Sequence, residues 1–446
     1  MRVVIAGAGD VGFHLARLLA SENQDIVLID LNKELLDYAG SHLDVFTIKG
    51  DASSPEVLDQ CELAQTELFI SVTTSQNTNI VAGILAKRKG AKQVIARVNN
   101  SEFLFDENKV CFKEMGIDKI ISPITLASLE IERLLGQCEV TDIFEFDEGK
   151  VSLAGISVDD ESHIKGMTIE DISDLDMHHS FNPIAILRGH HTLIPRRYTR
   201  LKRNDHLYFL TEPNRLAPLL ERVGKKHIKV NNVMILGGSA LAKHTARALE
   251  NKYNVSIVEQ NKSTCKELTA ELHNSLVIHG DPGNFELLKE EGIEEMDVFI
   301  ALTGNSETNI LTSLMADELG VYKTIALVDN TYYTKISQNI GVDTMINMKI
   351  IAANYIFRFV RKGNIEAITS LHGVDAEVIE YIVNRESGLT KKAIRKQNFP
   401  NAMVIGSIIR GEEIIVPNGD TVLALGDKVI VLALPRAIQK LEKIFS

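Results

Sequence analysis

Residues 3–12 read VVIAGAGDVG, and the helical spacing of FHLARLLASE follows at once. An apolar strand that breaks at Gly7-Ala8-Gly9-Asp10-Val11-Gly12 and reopens as a helix fits the GxGxxG turn of a dinucleotide-binding βαβ unit. The three glycines have separate duties. Gly7 permits a tight turn, Gly9 leaves the backbone open to a pyrophosphate, and Gly12 lets the helix lie close on the strand. The N–H groups that open the helix lack partners of their own, so they suit phosphate. The next strand, DIVLID, ends in Asp30, 18 residues past Gly12 (30 − 12 = 18). A carboxylate there accepts hydrogen bonds from an adenosine ribose and disfavours a 2′-phosphate. NAD or an adenine nucleotide is therefore expected over NADP. A strand-end cap is the plainer reading of Asp30.

The same landmarks return in the same order at a fixed offset. VMILGGSALA begins at Val233 (233 − 3 = 230), Gly280-Asp281 answers Gly50-Asp51 (280 − 50 = 230), and TGNSETNI from Thr303 answers TTSQNTNI from Thr73 (303 − 73 = 230). A repeat of this length is a duplicated domain rather than the short unit of a solenoid.

Further candidates fall at strand ends. Gly50-Asp51 follows a third strand, where a doubly wound sheet places ligands, although Asp51 also reads as an Asx turn before Pro55. Thr73 and Thr74 end a fourth strand and suit a ribose or a phosphate. Arg97 lies in the otherwise apolar VIARVN. A buried charge there needs either a ligand phosphate or a carboxylate partner.

The second copy is degenerate. Gly237-Gly238-Ser239-Ala240-Leu241-Ala242 keeps the first glycine, places Ser239 at the middle position and Ala242 at the last. A serine adds bulk where a pyrophosphate comes closest, whereas alanine is tolerated at the end. Glu259, Asp281 and Thr303 remain, and Leu327 stands in place of Arg97 (97 + 230 = 327). Binding that is altered, weakened or absent all fit this pattern.

Apolar strands alternating with helices read as a parallel sheet covered on both faces. Residues 1–123 and 230–350 are expected to be two such domains. PITLASLEIERLLG (Pro123–Gly136) and KIIAANYIFRFVRKG from Lys349 are matching helices that link, cover a core or meet a partner. Residues 143–227 and 367–446 carry alternating apolar residues punctuated by Arg-Gly, Pro195 or Pro417, and Asp205 or Asp427, which reads as small antiparallel hairpins closed by a helix. Gly224–Asn232 is a polar linker. The expected fold class is α/β: two doubly wound parallel-sheet (Rossmann-like) domains, each followed by a small α+β domain.

The rest of the sequence narrows the function. The 446 residues carry a net charge of −12, which argues against a broad nucleic-acid surface. No apolar run approaches the roughly 20 residues of a membrane helix. MRVVIAGAG leaves no room for a signal peptide before the first strand. Cys61, Cys111, Cys138 and Cys265 are scattered, so free thiols in a reducing cytoplasm are expected, buried at least in part. The 13 histidines show no HExxH spacing, and Gly189-His190-His191 reads as a solvated hairpin turn rather than a metal site. No P-loop, nucleophile elbow or dehydrogenase acid–base pair is present. An NAD-dependent dehydrogenase accounts for the fingerprint but leaves the duplication unexplained. A redox-sensing transcription factor would need a helix-turn-helix and a basic patch, neither of which is seen.

VVIAGAGDVGFHLARLL, LIDLN, IKGDA, VTTSQNTNI and RGHHTLIPRRYTRLKRNDHLYFL together resemble the peripheral TrkA subunits of bacterial Trk potassium-uptake systems, within the regulators of potassium conductance (RCK, or KTN). The likeness spans the chain and includes its tandem order. It implies a cytoplasmic regulator without chemistry of its own, on the inner face of a TrkH- or TrkG-like potassium-translocating membrane subunit. It also implies a homo-oligomer, dimer or tetramer, that binds NAD(H) and ATP or ADP in the glycine-rich cleft. The implied cleft residues are Gly7, Ala8, Gly9, Asp10, Val11, Gly12, Asp30, Asp51, Thr73, Thr74 and Arg97, with Gly237, Gly238, Ser239, Glu259, Asp281 and Thr303 as a weaker second set.

Overall fold

The computed structural model describes residues 1–20, 24–160, 162–175, 181–189, 191–225, 228–330, 333, 342–360, 365–370, 376–400 and 402–445. His190 and part of the expected linker (226–227) lie outside them. The chain divides into two compact units, residues 1–129 with 347–361, and residues 130–346 with 362–446.

The first unit is built on β1 (Arg2–Ala6), α1 (Asp10–Ala20), β2 (Asp25–Asp30), α2 (Lys33–His42), β3 (Phe46–Lys49), α3 (Pro55–Asp59), β4 (Leu68–Ser71), α4 (Gln76–Arg88), β5 (Gln93–Arg97), α5 (Asp106–Glu114) and β6 (Lys119–Ile121). Among the described residues the strands form one parallel sheet in the order β3-β2-β1-β4-β5-β6. Val3, Val4 and Ile5 of the central strand are fully buried. Each such side chain stabilises by roughly 1.5–3 kcal/mol. α1 presents Leu15, Ala16 and Leu19 to the sheet at helical spacing. β6 was not evident in the sequence, because Lys119-Ile120-Ile121 is too short to show a period.

α6 (Pro123–Gly136) begins in the first unit and ends in the second. There follow β7 (Asp142–Phe146), β8 (Val151–Ser157), α7 (Ile169–Leu175), β9 (Asn182–Arg188), β10 (His191–Leu193), β11 (Asp205–Thr211) and α8 (Pro213–Arg222). Their antiparallel sheet has the order β10-β9-β11-β8-β7. The second parallel sheet uses β12 (Asn232–Leu236), α9 (Ala240–Leu249), β13 (Asn254–Glu259), α10 (Lys262–Glu271), β14 (Ser275–His279), α11 (Phe285–Glu290), β15 (Val298–Ala301), α12 (Ser306–Glu318), β16 (Lys323–Leu327) and β17 (Thr344–Ile346). Its order, β14-β13-β12-β15-β16-β17, repeats the first. After α13 (Met348–Val360) come β18 (Ile365–Ser370), β19 (Glu377–Ile382), β20 (Met403–Arg410), β21 (Glu413–Ile415) and β22 (Lys428–Ala433).

The two antiparallel sheets share a core in which Leu153, Tyr208 and Leu210 meet Val378, Ile430 and Leu432. Asp205 and Asp427, which mark turns in the sequence, have fully buried side chains. Asp205 takes both Nε and Nη2 of Arg188 at 2.8 and 2.7 Å, and Asp427 takes those of Arg410 at 2.8 and 2.8 Å. Cys61, Cys138 and Cys265 are buried as expected, but Cys111 is exposed on α5, a helix that buries none of its side chains.

α13 departs from the rest of its half. It packs on α1 in the first unit. There burial, reinforced by the Arg17 charge, pushes the His14 pKa down to about 4, against a hydrogen bond to Asn354 that raises it. Arg17 donates to His14 Nδ1 at 2.8 Å, which requires the neutral ring.

Candidate nucleotide site

The register of the first sheet brings the candidate residues to one edge. Ala6 pairs with Ile29 and with Ser71, Asp30 with Lys49, and Ser71 with Ala96. Gly7, Asp30, Gly50, Thr73 and Arg97 are thereby placed at the carboxyl ends of five neighbouring strands. This is the crevice where the strand order reverses, the usual ligand position of such a sheet.

Gly7 has φ +112°, a region that disfavours side chains, and a Cβ would lie 2.9 Å from Thr73 N. Gly12 is held from the other side, since a Cβ there would come within 1.8 Å of Gly7 O. Those two glycines are demanded by the fold. Gly9 is not, because a Cβ on it meets nothing within 4 Å. Ala8 and Val11 are buried and can offer only backbone. Among the described residues no side chain bonds the N–H of Asp10, Val11 or Gly12, so α1 opens onto the crevice with donors available.

Asp30 accepts from Ala8 N at 2.6 Å and from Asn32 N at 2.8 Å. It ties the glycine turn to the loop before α2, and its carboxylate has further acceptor capacity. Asp51 is exposed and accepts from Ser53 N and Ser53 Oγ at 2.8 and 2.7 Å, the Asx-turn alternative. Those bonds hold its carboxyl below the usual range. Thr74 is exposed on the turn after β4.

Arg97 ends β5 half-buried rather than lying in the strand's interior. Its Nη2 reaches Asn99 Oδ1 at 3.4 Å, and its Nε has no hydrogen-bond partner. Burial lowers its pKa. No carboxylate pairs with it among the described residues, so the carboxylate alternative does not hold here.

Two features of the edge escaped the sequence reading. Asn79 is buried on α4, and its Oδ1 accepts from Thr73 N and Oγ1 at 2.9 and 2.7 Å. Its Nδ2 donates to Thr73 O and Arg97 O, both at 3.0 Å, which fixes the β4 and β5 ends together. Asn309 makes the same four bonds to Thr303 and Leu327. The signal was the shared TNI of the two copies (309 − 79 = 230). The second feature is Leu31, 68% exposed beside Asp30, an apolar surface at the edge of the crevice.

The second copy keeps the scaffold and changes the opening. Glu259 accepts from Gly238 N and Asn261 N at 2.5 and 2.6 Å, as Asp30 does in the first. Asp281 is exposed and accepts from Gly283 N at 2.9 Å. Ser239 turns its hydroxyl back onto the chain at the opening of α9. Its Oγ donates to Leu302 O at 2.9 Å and accepts from Ala242 N at 3.2 Å, capping α9. The helix end that α1 leaves open is here filled by the chain itself, and Leu327 supplies no charge. Ser239→Gly should free the α9 amides at a cost of a few tenths of a kcal/mol in helix stability. Thermal unfolding and nucleotide titration of the variant check this. A large loss of stability would show that the hydroxyl does more than cap.

Two family models match the chain. The TrkA-N domain covers residues 3–123 and 233–348, and the TrkA-C domain covers residues 153–224 and 378–446. A curated relative, "Trk system potassium uptake protein TrkA homolog 1" of Methanosarcina mazei, is 31% identical over 454 residues, spanning 100% of both chains. Among solved structures, "Crystal Structure of the GsuK RCK domain" superposes with a TM-score of 0.61 at 17% identity, covering 99% of this chain and 94% of that one. "GsuK channel bound to NAD" does so at 0.60 and 16%, covering 99% and 78%. With both domain types matched twice in tandem and a relative alike from end to end, the chain belongs to the TrkA family.

Proposed function

We propose that this chain is the cytoplasmic, nucleotide-sensing regulatory subunit of a potassium-uptake system. NAD(H), ATP or ADP binds the first crevice, and the resulting conformational change gates a potassium-translocating membrane partner. The carrying observation is the first glycine turn, with Gly9 open, α1 uncapped and Arg97 Nε unpaired. The likeness to a Trk potassium-uptake protein and to an NAD-bound channel supports the potassium and nucleotide parts. No described helix is long and apolar enough to cross a membrane, so the pore would belong to the partner.

The residues act by binding rather than by bond making. The α1 amides and Arg97 meet phosphate, Asp30 orients the ribose, and Leu31 offers an apolar face to the base. A bound nucleotide supplies a base to stack and a count of phosphate charges. It shifts the protein only by the difference in its affinity for two conformations.

Calorimetric titration with NAD, NADH, ATP and ADP tests the reading. Asp30→Ala should weaken adenosine-containing ligands about tenfold, the loss of a charge-assisted hydrogen-bond pair. Unchanged affinity for all four in that variant would place the ligand elsewhere.

A further inference from the structure

A carboxylate stands where an anion is expected. Asp10 is the first residue of α1 and follows Gly9 directly. An acidic first turn suits a free helix end but opposes an incoming phosphate. The opposition is balanced in the structure, since Lys349 Nζ lies 2.7 Å from Asp10 Oδ2. Lys349 is the second residue of α13, so the cation at the rim of the first crevice comes from the second half of the chain. Its position is set by helix packing rather than by a loop, with the His14–Asn354 contact on the same pair of helices.

The pair is peculiar to this crevice. The second copy has Ala240 at the position of Asp10 (10 + 230 = 240), and α6 has Ile124 at that of Lys349 (349 − 225 = 124). The charges occur only where the helix end is open, not where Ser239 caps it.

We propose that Lys349 is part of the first nucleotide site, exchanging the Asp10 carboxylate for the terminal phosphate of a nucleoside polyphosphate. The proposal rests on the nucleotide reading of the crevice. The side chains of Lys349 and Asp10 are 33% and 71% exposed, so a modest swing of the lysine stem accomplishes the exchange. Adenosine monophosphate, with no phosphate beyond the first, leaves the ion pair intact. A longer phosphate chain breaks it and alters the seat of α13 on α1. Phosphate number is thus read by a helix from the other half.

The test is calorimetry of the full chain with AMP and ATP on wild type, Lys349→Ala, Asp10→Asn and the double variant, with Lys349→Gln as a stem-preserving control. Lys349→Ala and Lys349→Gln should bind ATP about tenfold more weakly and AMP within about twofold of wild type. Asp10→Asn should bind ATP at least as tightly as wild type. The double variant should remain about tenfold weaker than Asp10→Asn. Wild-type ATP affinity in Lys349→Ala overturns the proposal. So does a double variant equal to Asp10→Asn, since the lysine then only neutralises the aspartate. Equal losses of AMP and ATP also overturn it. A wild type that binds no adenine nucleotide overturns the crevice reading itself, and the proposal with it.

Discussion

Gly9→Asp should lower the affinity for NAD and adenine nucleotides at least about a hundredfold, some 2.7 kcal/mol. Its melting temperature should stay within about 2 °C of wild type. The separation of the two effects follows from local geometry. A Cβ on Gly9 meets no protein atom within 4 Å beyond its chain neighbours, so the fold has room for the first atom of a side chain there. The same side chain fills the approach to the α1 amides and adds a second carboxylate beside Asp10. Gly12→Ala is the contrasting control. Its Cβ would lie 1.8 Å from Gly7 O, a backbone atom that cannot yield without moving β1 or α1. A destabilisation on the order of 3 kcal/mol is expected, with binding lost as a consequence. Calorimetry and thermal unfolding of both variants check the pair. Gly9→Asp binding NAD as wild type does would remove the first crevice from the account.

Asp205→Ala should destabilise the second unit by about 3 kcal/mol, and Asp427→Ala by a similar amount. Each carboxylate is fully buried and holds a guanidinium through two hydrogen bonds. Each also accepts a backbone N–H three residues earlier, Lys202 N at 2.8 Å and Ala424 N at 2.6 Å. Truncation leaves those donors and an arginine without their acceptor in a closed hairpin. The arginine side chains are 30% and 40% exposed, so water recovers part of the loss and the estimate sits at the low end of the range for buried pairs. Urea unfolding measures it. An unchanged midpoint would mean that the hairpins are held by their apolar contacts alone.

The comparison of sequence with structure turns on what kind of signal each residue leaves. The glycine turn, Asp30, and the repeat at 230 residues were legible because backbone constraints tie residue type to position. Both parallel sheets follow from them and from the alternation of apolar strands with helices, whereas the small antiparallel sheets were legible from alternating apolar residues punctuated by Arg-Gly, proline and aspartate turns. β6 and β17, three residues each, were hidden because so short a strand shows no period. Asn79 was hidden because a buried amide on a helix looks like any polar residue until its four bonds are seen. Ser239 was legible as a departure but not in its effect. The residue type shows the added bulk, but only the structure shows that the hydroxyl caps α9. Lys349 could not be found from sequence at all. It reaches Asp10 only because α13 packs on a helix 338 residues earlier in the chain (348 − 10 = 338).

That same packing has a consequence for biosynthesis. At the usual 5–20 residues per second, α13 is made roughly 20–70 s after α1. Throughout that interval the outer face of α1, with His14, lacks its covering helix on the growing chain. The α1 face is therefore covered only after roughly four fifths of the chain is made, although the strands of the first sheet are made first. Chains halted before residue 348 would carry a bare helix face into the cytosol, where chaperones and aggregation compete for exposed apolar surface.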